Sequence, residues 1–151
     1  MKIFRCRLLS LLIYSSYIAV STFNCNQISQ GEQRRKFEFL YKLSNYISLT
    51  KEYTVTLVYF RDIPFFEERM KKMKEDIIKI EPVKTWNKSE VLKTKFITVL
   101  ADNINSADSL KNLQLPPDES IKNSKETILI KERTSVFSEE LDNVISEVGK
   151  E

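Results

Sequence analysis

A chain of 151 residues with no histidine, two glycines and two cysteines excludes several chemistries at the outset. Without histidine there is no Ser-His-Asp or Cys-His nucleophile system and no His-ligated zinc site, and with glycine only at 31 and 149 neither a P-loop nor a dinucleotide fingerprint is possible. Three of the 24 basic residues (Lys2, Arg5, Arg7) precede position 8, so residues 25–151 balance 21 basic against 21 acidic, and a nucleic-acid partner loses its electrostatic support.

Residues 1–24 read as a lipoprotein signal peptide. Lys2, Arg5 and Arg7 form a basic start, and Leu8 to Val20 an apolar run interrupted by Ser10, Ser15 and Ser16. Thirteen residues fall short of the roughly 20 that a spanning helix needs. Ser21-Thr22-Phe23-Asn24 then leads to Cys25. Cys6 would leave with the signal, making Cys25 the one cysteine of the remaining chain, with no partner for a disulfide. A thiol in that place suits attachment of diacylglycerol and palmitate-type acyl groups, so Cys25 is the expected lipidation site and the membrane its expected partner. The alternative is ordinary cleavage near Thr22 or Asn24, with Cys25 incidental. Residues 25–35, polar apart from Ile28 and containing Gly31, read as the lipidated N-terminus and a flexible tether.

Residues 36–151 are expected to form a single all-α domain, an antiparallel bundle of about four helices. The 117 residues between Gly31 and Gly149 contain no glycine, and no Asn-Gly or Asp-Gly pair offers a tight hairpin turn. A first helix is expected from about Glu32 to Thr50, with Phe37, Leu40, Tyr41, Ser44 and Ile47 on its apolar stripe and Leu43 and Tyr46 beside it. Tyr53 to Phe60 alternates apolar residues with Thr54 and Thr56, as a short strand would. No second stretch offers that strand a partner, which favours a continuation of the first helix.

Pro64 in a first turn and Asp62 as cap open a second helix, with Phe66, Met70, Met73, Ile77 and Ile80 at spacings of four and three until Pro82. Asn87 and Glu90 resemble a capping box for a third helix carrying Leu92, Phe96, Val99 and Asn103 or Ile104. Its pattern dissolves over 103–108, and Leu110, Leu113 and Leu115 lead to Pro116-Pro117. The last helix starts between Asp118 and Ser124, and Ile130, Thr134, Phe137, Leu141, Val144 and Val148 repeat until Gly149.

Charge is polarised along this body. Residues 69–95 carry nine basic against four acidic side chains, and residues 118–151 carry five basic against nine acidic. The basic stretch is either a polyanion contact or a solvated face balanced by the acidic last helix. Lys71, Lys74, Lys84 and Lys88 are the candidate binding lysines. Trp86, the one tryptophan, is either a binding anchor or a lid over the end of the bundle. Phe65 beside Phe66 cannot share the same core, and faces either a neighbouring helix or a partner. Glu67/Glu68 and Glu139/Glu140 diverge by about 100° on a helix and read as solvated surface charges. No catalytic residue, metal or cofactor is expected, and the chain reads as a non-enzyme.

Thr22-Phe23-Asn24-Cys25 resembles the relaxed lipidation sites of spirochaetes. A chain rich in Lys, Ile, Asn and Phe and poor in Gly, His and Cys is similar to the small helical plasmid-encoded lipoproteins of Borrelia-type organisms. That resemblance implies a lipoprotein at the cell surface or on the periplasmic face of the outer membrane. In such families the expected role is binding a host macromolecule, protein or glycosaminoglycan. An inward-facing structural or assembly role in the envelope is the other reading.

Overall fold

The computed structural model describes the backbone of residues 2–111 and 121–151, and the side chains of 30–111 and 121–151. Five elements follow one another: α1 (Lys2–Phe60), α2 (Ile63–Ile78), α3 (Lys88–Lys111), a short 3-10 turn (Ile121–Asn123) and α4 (Lys125–Val148). The chain divides into two compact units, Met1–Arg35 and Lys36–Glu151. The side chains of residues 1–24, expected as a signal peptide, and of Cys25 lie outside the described residues, as do Leu113, Leu115 and Pro116-Pro117. Residues 26–35, expected as a flexible tether, are helical within α1. The segment is proline-free, and Gly31 costs a helix only about 1 kcal/mol relative to alanine.

Lys36–Glu151 is an up-down-up-down bundle. Four sets of contacts close the ring. Thr50 of α1 meets the Met73 sulfur of α2 at 4.0 Å, and Lys93 of α3 donates to the Ile78 carbonyl of α2 at 2.9 Å. Phe96 of α3 stacks on Phe137 of α4 with centroids 4.9 Å apart, and Lys51 of α1 donates to Ser138 of α4 at 2.9 Å. Each pairing runs antiparallel, as Lys88–Glu147 and Asn103–Thr134 show for α3 and α4.

Residues 53–60 belong to α1, and the described residues contain no strand. Thr50 and Thr54 are buried there because each hydroxyl donates to the carbonyl four residues back, at 2.8 and 2.7 Å. The alternation that imitates a strand is thus a helix whose threonines satisfy themselves. Arg61, at φ 54°, then turns the chain, its N–H donating to the Leu57 carbonyl at 3.0 Å. The Asp62 side chain accepts from the Phe65 N–H at 3.0 Å and starts α2.

The expected stripes of α2 and α4 face the core. Phe66, Met70, Met73 and Ile77 are buried, as are Ile130, Thr134, Phe137, Leu141, Val144 and Val148. On α1 the expected stripe is corrected. Leu40, Leu43, Ile47, Thr50, Thr54 and Leu57 face inward, whereas Phe37 and Tyr41 are 38% and 68% exposed. α3 also continues through the polar stretch expected to end it, because Asn103, Ser106, Ala107 and Leu110 all turn inward. Asn103 donates to Thr134 at 3.2 Å, and Arg133 of α4 donates to the Ser106 hydroxyl at 2.9 Å and the Asp102 carbonyl at 3.1 Å. Buried polar groups matched across a helix pair hold a helix together as apolar ones would.

Phe96→Ala removes the central stack from a fully buried site and is expected to cost about 3–5 kcal/mol. Val136→Ala, at a 66% exposed position, should stay within about 0.5 kcal/mol of the parent. Urea denaturation followed by far-UV circular dichroism measures both.

Candidate functional site

The five candidate binding residues fall into three places. Lys71 and Lys74 of α2 line a shallow groove of about 350 Å³ with Glu75, Ile78, Ile104 and Asn105. Lys84 and Trp86 line a second, of about 360 Å³, in the connection between α2 and α3. Lys88, which opens α3, reaches across to Glu147 of α4 at 2.6 Å.

Most of the basic stretch is engaged within the bundle. Lys71 lies 3.9 Å from Glu67, Lys79 lies 3.3 Å from Asp76 and Lys95 lies 2.5 Å from Glu140, while Lys93 serves the Ile78 carbonyl. Arg69 lies over the Phe65 ring at 4.9 Å and the Tyr53 ring at 5.9 Å. Lys72, Lys74 and Lys84 form no ion pair among the described residues. A run of positive charge in sequence thus becomes, in space, a set of mostly separated and partnered cations.

Trp86 closes the end of the bundle. Its ring meets Phe39 edge-on at 6.3 Å, and the Lys36 ammonium stands 5.9 Å from the ring centre. Ser89 holds the turn beneath it, accepting from the Val83 N–H at 2.9 Å and donating to the Trp86 carbonyl at 2.7 Å. The ring is half-buried and packs on the core, as a lid does. Phe65 resolves the same way, packing edge-on against Tyr53 of α1 at 5.8 Å.

Two features were not anticipated from sequence. The first is a groove of about 550 Å³ between α3 and α4, floored by Val99, Val136 and Phe137 and rimmed by Lys95, Glu140 and Arg133. Of the polar run 102–108 only Asp102 lines it, so that run gave no signal of the groove. The second is Glu67. Expected as a solvated charge, it is 6% exposed and accepts from Lys111 at 2.7 Å. Lys111 also reaches Asp108 at 3.2 Å, and Glu68, one residue on, is exposed. Adjacent helical carboxylates diverge, and here one of them points inward. Among the described residues no cluster of metal-ligating side chains occurs, and no helix is long and apolar enough to cross a membrane.

No family model, curated protein or solved structure matches the chain.

The hydrogen bonds from Lys111 to Glu67 and then Asp108 raise the lysine above its ordinary value of 10.5. A folded-state value above the unfolded one contributes stability that is complete below about pH 10.5 and fades as pH rises through the elevated value. Lys111→Met should lower the melting temperature at pH 7 and flatten its decline above pH 10.5, as thermal melts across pH would show.

Proposed function

We propose that this chain is a lipid-anchored bacterial envelope protein of the spirochaetal type, displayed at the cell surface, whose helical bundle binds a host macromolecule. The observation that carries the reading is Cys25: a lone cysteine in residues 25–151, placed directly behind a basic start, a short apolar run and a polar cleavage region. Lipid on Cys25 would hold the protein to the membrane, and two or three acyl chains are needed for firm attachment. A self-contained bundle beginning at Lys36 supports an anchored binding module, since its core closes without a second chain.

A folded host protein suits the exterior better than a sulfated glycosaminoglycan. Lys71, Lys79, Lys88 and Lys95 of the basic stretch pair with carboxylates, whereas the α3–α4 groove pairs an apolar floor with a rim of both signs. Protein interfaces have that anatomy, a hydrophobic centre ringed by polar groups. The reading includes no catalysis, in keeping with a sequence devoid of histidine.

Intact mass of the membrane-fraction protein tests the anchor. A chain beginning at Cys25 and carrying diacylglycerol plus acyl groups is expected, and Cys25→Ala should abolish that species. An unmodified cleaved chain would overturn the anchor. Protease added to intact cells should digest the protein, and survival until lysis would place it on the periplasmic face as an envelope structural or assembly component. On a heparin column at physiological salt the protein should emerge in the flow-through, because half the lysines of the basic stretch are paired with carboxylates and the rest are separated; retention would restore the polyanion reading.

A further inference from the structure

Lysines of α3 and glutamates of α4 pair along one edge of the bundle at a fixed interval. Lys88 meets Glu147 at 2.6 Å, and Lys95, seven residues on, meets Glu140, seven residues back, at 2.5 Å. Seven residues return a helix to within about 20° of the same direction, so the series leads next to positions 102 and 133. There the signs are exchanged. Asp102 stands where α3 would place a lysine, and Arg133 where α4 would place a glutamate.

This third rung closes differently. The Arg133 guanidinium donates to two neutral oxygens, the Asp102 carbonyl at 3.1 Å and the Ser106 hydroxyl at 2.9 Å. Among the described residues the carboxylates of Asp102 and of neighbouring Glu132 form no ion pair. Positions three and four residues either side of each acid hold only uncharged side chains, so neither helix offers its own acid a cation. This end of the edge carries two carboxylates against one half-buried guanidinium turned onto α3.

The groove of about 550 Å³ lies between the second rung and the third, and both acids line it. Its floor brings Val136, 66% exposed, and half-buried Val99 beside them. An acidic occupant would meet two like charges, and a purely apolar one would strip water from them without supplying a partner. A long aliphatic side chain that ends in a cation suits both parts. Lysine and arginine lay their stems on apolar surface and carry the charged head beyond it.

We propose that the α3–α4 groove receives a lysine or arginine side chain presented by a partner protein. Its stem lies along Val99 and Val136, and its head group meets the Asp102 and Glu132 carboxylates. This rests on the reading of the groove as a protein-binding site and names the chemistry that the partner must present.

The test uses the full chain, labelled with nitrogen-15, and three probes of one length: hexylammonium, hexanol and hexanoate. Amide shifts at Val99, Asp102, Glu132 and Val136 should report binding in the groove. Hexylammonium should bind about two- to fivefold more tightly than hexanol at low salt, the range of an exposed ion pair, and hexanoate most weakly. The margin should shrink at high salt. Asp102→Asn with Glu132→Gln should erase it while helical circular dichroism stays as in the parent. Equal binding of hexylammonium and hexanol, tighter binding of hexanoate, or hexylammonium shifts centred away from the groove would overturn the cation and leave the groove's role standing. Silence of the groove towards all three would overturn both.

Discussion

The stacking of Phe96 on Phe137, at 4.9 Å and nearly parallel, fixes where α3 lies against α4, and much of the bundle follows from that register. With those rings in place, Asn103 reaches Thr134, Arg133 reaches Ser106, and Lys95 and Lys88 reach Glu140 and Glu147. The stack supplies buried area without direction, and the polar pairs supply direction with little net energy. Slipping the helices by one turn would leave Asn103 and Arg133 facing apolar side chains, a cost of the kind that keeps a native register unique.

How legible this was in the chain depended on how many jobs each helix face performs. α2 and α4 each bury one stripe, and Phe66-Met70-Met73-Ile77 and Ile130 to Val148 could be read directly from spacing. α1 bears aromatic residues outside its buried face, so Phe37 and Tyr41 fit a core stripe by spacing yet stay 38% and 68% exposed. α3 hides its inward face behind Asn103 and Ser106, residues that look like loop until their partners on α4 are known. The candidate lysines illustrate the same limit for the site. Lys71, Lys74, Lys84 and Lys88 are close in sequence, but a helix and a turn separate them into two grooves and the start of α3, and Glu147 of the distant α4 pairs with Lys88. Spacing reports periodicity within one element; it carries no information on which acid from another element will stand opposite.

The surfaces left over are correspondingly separate. The tryptophan end is closed by Phe39 and Lys36, whereas the α3–α4 groove is open with an apolar floor.

The up-down topology has a kinetic side. Three of the four helix pairings join consecutive segments, and only the closure of α1 with α4 brings together residues distant in sequence. Chains dominated by local contacts fold in microseconds to milliseconds, because little loop entropy is lost before contacts form. Thr50, Thr54 and Asn103 lower the apolar content of the inward faces of α1 and α3, so less of the drive to early collapse comes from those faces.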